Sequence, residues 1–370
     1  MKALCVHAGP RALKALREHG LQARYVRAIP AAAGGPKGLV LNPLDQYLFG
    51  EWLAPLESTQ QTIHLLGASI GAWRMAAACL DDPAAALAQM THDYIHQDYE
   101  HAPGKLPTPR HVSEVFGANL AARFDRRVPE LLGNRRYRLH VFTSRGRHLL
   151  RRHGRALSSV STPLSYASAF AANAFSRRAM GGWWERVIFS DPRDPLPIHL
   201  HDYRTHTARL SAENLAPSIL ASCSIPYWLD PVHNIPGAPK GAYQDGGITD
   251  YHLHLNYASM ADASPDEPSL VLYPHFQRSV IPGWLDKFLK HRHRATEQLS
   301  NVIVLSPNPA WIATLPNGKL PDRADFQLFG EDVAGRVKAW TRAVAESARL
   351  RDEFADWARG GPGLAAQPLT

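Results

Sequence analysis

The sequence predicts an α/β fold: a mostly parallel central sheet flanked by helices. Three observations lead there. Short strand-like runs recur at residues 25–29, 63–66, 137–144, 187–190, 270–273 and 301–305. Stretches with apolar residues at helical spacing alternate with them, which is the pattern of a parallel sheet with crossover helices. Internal repeats and low-complexity linkers do not interrupt the alternation. The chain has 370 residues, 45% of them hydrophobic, enough for one full core. It is expected to form a single domain over residues 1–360, with a helical insertion at roughly 82–135 and a frayed tail at 361–370.

The elements follow in order. Residues 2–6 are a short apolar run, and 11–19 have helical spacing, with Leu13, Leu16 and Leu21 on one side. The strand at 25–29 runs into Ala31-Ala32-Ala33-Gly34-Gly35-Pro36-Lys37-Gly38, and a helix is expected at 39–49. Such a small-residue loop leaves backbone N–H groups free to hold an anion, although a tight packing turn would look the same. Leu39 stands where a nucleotide phosphate loop needs Ser or Thr. The strand at 63–66 stops at Gly67, and an Ala-rich helix follows at 72–80. Helices are expected at 82–99, 112–132, 157–179 and 207–221, with a loop at 103–109 and a break at Gly181-Gly182. Residues 283–299 and 331–357 also read as helices.

Composition excludes several classes. Lys and Arg number 41 against 33 Asp and Glu, a formal charge of +8. The surplus favours acidic partners, but it is dispersed in pairs such as Arg135-Arg136 and Arg177-Arg178, so no nucleic-acid partner is expected. Cys5, Cys79 and Cys223 are odd in number and far apart, neither a disulfide framework nor a metal knuckle. They fit a reducing compartment. Arg11, Lys14, Arg17 and Glu18 break any secretory h-region, and no apolar run reaches transmembrane length. A cytoplasmic protein is expected, with peripheral contact at the inner membrane surface.

The chemistry centres on Gly67-Ala68-Ser69-Ile70-Gly71, a G-x-S-x-G match between a strand and a helix. A serine on that turn is strained with its hydroxyl exposed, and glycines on either side let the two backbones pass closely. The helix that starts there points its N-terminus at the position where charge develops. Downstream, Asp245 ends a strand before Gly246 and Gly247. That places a carboxylate on a close turn, or marks a plain Asp-Gly hairpin.

The order of these motifs resembles the patatin-like phospholipase family. Its small-residue loop is matched by Ala33-Gly34-Gly35-Pro36-Lys37-Gly38, its serine elbow by Gly67 to Gly71, and its Asp-Gly-Gly by Asp245-Gly246-Gly247. Ala221-Ser222-Cys223-Ser224-Ile225-Pro226 looks like a further block of the family. The resemblance covers roughly residues 25–255. It implies a three-layer α/β/α domain and a cofactor-free, metal-free serine acyl hydrolase acting on lipid esters. It further implies Ser69 as nucleophile, Asp245 as base, and Gly34, Gly35 and Lys37 as oxyanion donors. Gly38, Gly67, Gly71, Gly246 and Gly247 are the motif glycines. Ala33 departs from the family's first glycine but keeps its N–H, and Pro36 has none to give.

Two other readings stand beside it. A Ser-His-Asp hydrolase would draw its histidine from His252, His254, His275, His291 or His293. A lipid- or phosphate-binding module would use the loop without catalysis. Residues 281–299 leave two readings open: an amphipathic helix that packs on the core, as most do, or one that makes peripheral contact with an anionic membrane surface. As a helix they put Trp284, Leu285, Phe288 and Leu289 on one side, with Lys287, Lys290, Arg292, Arg294, His291 and His293 around the rest.

Overall fold

A computed structural model describes residues 1–55, 61–102, 105–152, 158–202, 204–264 and 266–370. The chain begins with β1 (Leu4–Ala8), α1 (Pro10–His19), β2 (Val26–Ala31), α2 (Asn42–Tyr47), β3 (Ile63–Ala68) and α3 (Ile70–Ala78). Three helices come next: α4 (Pro83–His96), α5 (Pro109–Phe124) and α6 (Val128–Gly133). Then follow β4 (Tyr137–Gly146), α7 (Ser158–Phe175), α8 (Arg177–Met180), β5 (Trp184–Ser190), β6 (Thr205–Arg209) and α9 (Leu215–Cys223). The last third holds β7 (Val232–His233), β8 (Ala242–Gln244), α10 (Gly247–Asp250), β9 (Leu270–Pro274), β10 (Val302–Pro307), α11 (Pro309–Ile312), α12 (Ala324–Phe329), α13 (Val333–Glu346), α14 (Ala348–Ala358) and β11 (Gln367–Pro368).

The fold is α/β, as expected, with helices flanking an eleven-stranded sheet: nine strands run in the order β11-β1-β10-β9-β2-β3-β4-β5-β6, β8 pairs off this path with β4, and β7 pairs with β8. The five central strands from β10 to β4 are mutually parallel. Every residue of β3 and of β10 is buried, so both faces are covered and the strands are apolar apart from His64 and Ser306. Strand β8 pairs with β4 beyond the end of β3. Ala68 of β3 lies opposite Phe142, and Gln244 of β8 lies opposite Ser144. The two strands thus run end to end along one edge of β4 and point at each other.

Helix α3 packs close because its residues are small. A Cβ on Gly71 would fall 1.9 Å from the Ala31 carbonyl oxygen, and one on Gly67 would fall 2.4 Å from Ala72 Cα. Helix α2 is joined to it by a buried fork: Arg74 Nε and Nη2 donate to Asp45 at 2.8 and 2.9 Å. Burial pushes the Asp45 carboxyl up, and the guanidinium opposes it.

Several expected elements differ. The helix predicted from residue 39 starts earlier, as a 3-10 turn over Gly35–Leu41, before α2. The helix predicted over 207–221 begins as β6, because Thr205–Arg209 pairs in parallel with β5. Residues 331–357 form two helices that meet at Ser347. The tail does not fray: Gln367 and Pro368 pair with β1, and Leu369 N–H donates to Ala8 O at 2.9 Å. Residue 157, at the start of one expected helix, and residues 103–104 of the expected loop lie outside the described residues.

The largest correction is at 283–299, which is three separate 3-10 turns rather than one amphipathic helix. The cause is buried Asp286. Its carboxylate accepts from Gly283 N–H, Asn173, Arg177 and Arg292 at 2.7–2.9 Å. Wrapping around that anion takes the chain out of helical register. Leu285 is buried, Arg292 is spent on Asp286, and Lys287 turns inward to lie 3.9 Å from the Tyr251 ring centroid.

The Arg74–Asp45 fork makes a stability prediction. Asp45→Ala leaves a buried guanidinium without its carboxylate and is expected to cost about 3–5 kcal/mol in urea unfolding. The Asp45→Leu/Arg74→Met double variant is expected to recover most of that loss. Equal losses in both variants would mean that shape alone matters there.

Candidate active site

Ser69 is the residue between β3 and α3, and its backbone has φ 57° and ψ −130°. A positive φ in a residue with a Cβ is strained, and surrounding structure must hold it. Ser222 of α9 does part of this. Its Oγ accepts from Ser69 N–H at 2.8 Å and donates to Phe142 O at 2.7 Å. The elbow is thereby clasped to β4.

Asp245 follows β8 and faces the elbow. Ser69 Oγ donates to Asp245 Oδ2 at 2.7 Å, and Gly247 N–H donates to the other oxygen, Oδ1, at 2.7 Å. The carboxylate is therefore held by one oxygen with the second aimed at the hydroxyl. The backbone is anchored too: Asp245 N–H donates to Ser224 O and Gly246 N–H to Ser222 O. A Cβ on Gly246 would fall 2.1 Å from Phe142 O, so only glycine lets this turn approach β4. Both side chains are buried, Ser69 at 3% and Asp245 at 6% exposure. Burial pushes the Asp245 carboxyl above the usual carboxylate range, opposed by Arg323, the Ser69 and Gly247 hydrogen bonds and Lys287.

The small-residue loop passes beside this pair. Gly34 is extended, Gly35 has φ 55°, and neither amide is bonded within the described residues. A Cβ on Gly34 would strike the Phe276 ring at 2.3 Å, and one on Gly247 would lie 2.7 Å from Ala33 Cβ. Gly38 packs on Ile70 and Arg74 of the elbow helix. The Ala33 N–H is not available, contrary to expectation, because it donates to Tyr251 O at 2.9 Å. Lys37 presents its ammonium 5.7 Å from the Phe276 centroid, and burial lowers its pKa.

Ser69 and Gly35 open into a cavity of about 700 Å³. Its walls are mainly aromatic and aliphatic, with Trp73, Phe116, Trp228, Leu229 and Phe326 among them. Arg323 lines the same cavity, and its Nε lies 3.3 Å from where a Gly35 Cβ would be.

Histidines do not join the pair: among the described residues none hydrogen-bonds Ser69 or Asp245. His252 and His275 are buried, and their Nδ1 atoms are engaged by the backbone at Ser279, Ile281 and Gln277. Burial lowers both pKa values, that of His275 to about 3, and keeps both rings neutral. His254 bonds Val280 O and Thr296, and His291 is exposed. Clusters of three or more His, Cys, Asp or Glu that could hold a metal are absent among the described residues.

Ser222 and Arg323 are the residues that motif reasoning did not reach. Ser222 lies in a block singled out for its sequence alone, without a role. Arg323 belongs to a stretch with no motif, and only the fold brings it here.

No family model matches the chain, and no curated protein matches it either. Among solved structures it is similar to human GIVD cytosolic phospholipase A2, at 11% identity and a TM-score of 0.42. That alignment covers 97% of this chain and 66% of the other, just under two thirds of its length.

The Ser222 clasp is open to test. Ser222→Ala strips a buried N–H of its acceptor and is expected to cost about 1–3 kcal/mol of stability. Labelling of Ser69 by a fluorophosphonate should also slow. Unchanged labelling at unchanged stability would show that the elbow holds its strain without Ser222.

Proposed function

We propose that this chain is a serine acyl hydrolase that cleaves carboxylic esters of lipids through a Ser69–Asp245 dyad. The observation that carries the proposal is the 2.7 Å bond from a serine hydroxyl on a positive-φ elbow to a buried carboxylate. A serine hydroxyl is a weak nucleophile until a base takes its proton. Asp245 is ionised above its raised pKa, and burial strengthens it as a proton acceptor.

In the first half-reaction Ser69 Oγ bonds to the ester carbon while its proton passes to Asp245 Oδ2. The oxyanion develops beside the free amides of Gly34 and Gly35 and the N-terminus of the nine-residue α3. Each well-placed donor is worth roughly 3 kcal/mol of barrier. Collapse breaks the ester C–O bond, and the leaving alcohol takes the proton from Asp245. Water then attacks the acyl-enzyme with Asp245 again as base, releasing the acid and restoring Ser69. Binding fits the same reading: the apolar cavity receives the acyl chain. Lys37 extends the donor set if its backbone N–H, rather than its side chain, faces the oxyanion.

A fluorophosphonate probe is expected to label the wild-type chain and not Ser69→Ala; labelling that survives the substitution refutes the nucleophile. Asp245→Asn is expected to lower kcat on a short-chain chromogenic ester by about 10²–10⁴-fold, whereas His252→Ala and His275→Ala should not match that loss.

The pH dependence has a definite sign. Activity needs the Asp245 carboxylate, so kcat/KM should fall on acidification at a pH above that of an ordinary aspartate. Stability moves the other way. A raised folded pKa penalises the ionised native state above that value, and the penalty fades as pH falls toward the unfolded pKa. Asp245→Asn should therefore melt no lower than wild type at pH 7 despite its lost activity. A lower melting temperature would mean that the ionised carboxylate holds the turn.

A further inference from the structure

Helix α7 exposes an apolar face in addition to the one it buries, where Tyr166, Ala169 and Phe170 join an apolar cluster with Met180, Trp184 and Leu285. Its buried face also carries polar groups: Tyr166 donates to Gln244 Oε1 and Asn173 to Asp286, each at 2.8 Å. Its outward stripe is Leu164, Ala167, Ala171, Ala174 and Phe175, all exposed. The spacing i, i+3, i+7, i+10, i+11 keeps them on one face. Leu164 is 70% and Phe175 90% exposed. Residues 158–176 contain no Asp, Glu, Lys or Arg.

The stripe continues sideways. Phe288 is 75% exposed and meets Phe170 edge to face at 6.1 Å. Tyr227, also exposed, lies 6.1 Å from Tyr166, in the loop whose Ile225 and Trp228 line the cavity. Leu106 and Leu328 are the remaining large exposed apolar side chains among the described residues, apart from Met1. Leu106 lines the cavity, and Leu328 follows cavity-lining Gln327. Exposed apolar area is thus gathered on α7 and around the cavity. Such gathering marks a contact surface rather than scattered chance exposure. Arg178 follows Phe175 by three residues, and Lys290 and Arg294 follow Phe288 by two and six; all three are exposed and without an ion pair among the described residues.

We infer that the α7 stripe with Phe288 seats this chain on an anionic lipid surface. Apolar side chains enter the acyl boundary while the basic residues meet the headgroups. The exposed basic residues that flank Phe175 and Phe288 along the chain argue for anionic lipid over a second copy of the chain, which would bring like charges together. The purpose of the surface rests on the proposed hydrolase, since it would present lipid esters to the cavity. The binding itself does not.

The test uses the full chain carrying Ser69→Ala, so that vesicles stay intact. It is sedimented with vesicles of phosphatidylcholine alone or with phosphatidylglycerol added. Binding should rise with phosphatidylglycerol and fall with added salt. Phe175→Ser/Phe288→Ser is expected to weaken it about tenfold or more. Arg178→Gln/Lys290→Gln/Arg294→Gln should abolish the preference for phosphatidylglycerol. Circular dichroism melts confirm that both variants fold. Unchanged binding in both variants, or no binding by the parent, overturns the inference. So does a parent dimer in analytical ultracentrifugation that the Phe variant converts to monomer, since the stripe would then be covered by a second copy. Hydrolysis of a soluble ester by the unsubstituted chain is measured apart. Its absence beside intact vesicle binding would sink the hydrolase proposal and leave the lipid surface standing.

Discussion

The arrangement on which the site depends is the sharing of one edge of β4 by two strands. Strand β3 pairs as far as Phe142, and β8 takes over at Ser144 from the opposite direction. Each ends where the other ends, so the residues that follow, Ser69 and Asp245, are delivered to one point. The junction is held by its own hydrogen bonds. Phe142 O, left at the gap, accepts from Ser222, whose Oγ in turn receives the Ser69 amide. Glycine at 246 is required because that same carbonyl oxygen occupies the space of a side chain.

Buried charge fixes what surrounds the junction. After Asp245 the chain turns into α10, whose Asp250 is gripped by buried Arg186 of β5 at 2.6 and 2.7 Å, with Asp202 on the far side of the guanidinium. Asp286 gathers Asn173, Arg177 and Arg292 and so ties residues 283–293 to α7. Asp45 and Arg74 tie α2 to α3. Such pairs are costly to bury and costly to break singly, which makes them anchors rather than sources of net stability. Beneath Gly34 the neutral rings of His252 and His275 pack with Phe276, His275 stacked on Phe276 and His252 edge-on to both, and serve as aromatic packing. Rings spent in this way are poorly placed to act as a base for Ser69.

Polarity is distributed in a way that connects these parts. Ser69 lines a largely apolar cavity, and exposed apolar side chains collect near that cavity and along α7. Helix α7 turns polar groups inward because Gln244 and Asp286 need hydrogen bonds there. Among its described side chains, the exposed ones are alanine, leucine and phenylalanine.

The sequence by itself determined the layer architecture, the strain at the elbow and the two turns that bear Ser69 and Asp245. These are local matters: strand runs, small residues between strand and helix, and glycines where backbones must pass closely. Only the tertiary structure decided that the hydroxyl and the carboxylate meet, since that follows from strand register on β4. It also decided that Ser222 clasps the elbow, that Arg323 reaches the cavity and that Ala33 spends its N–H on Tyr251. The segment from 283 to 299 shows the limit most plainly. Its periodicity is helical, yet four donors converging on one buried aspartate outweigh propensity. Periodicity reports the face a segment could bury and is blind to an anion that only the folded chain surrounds.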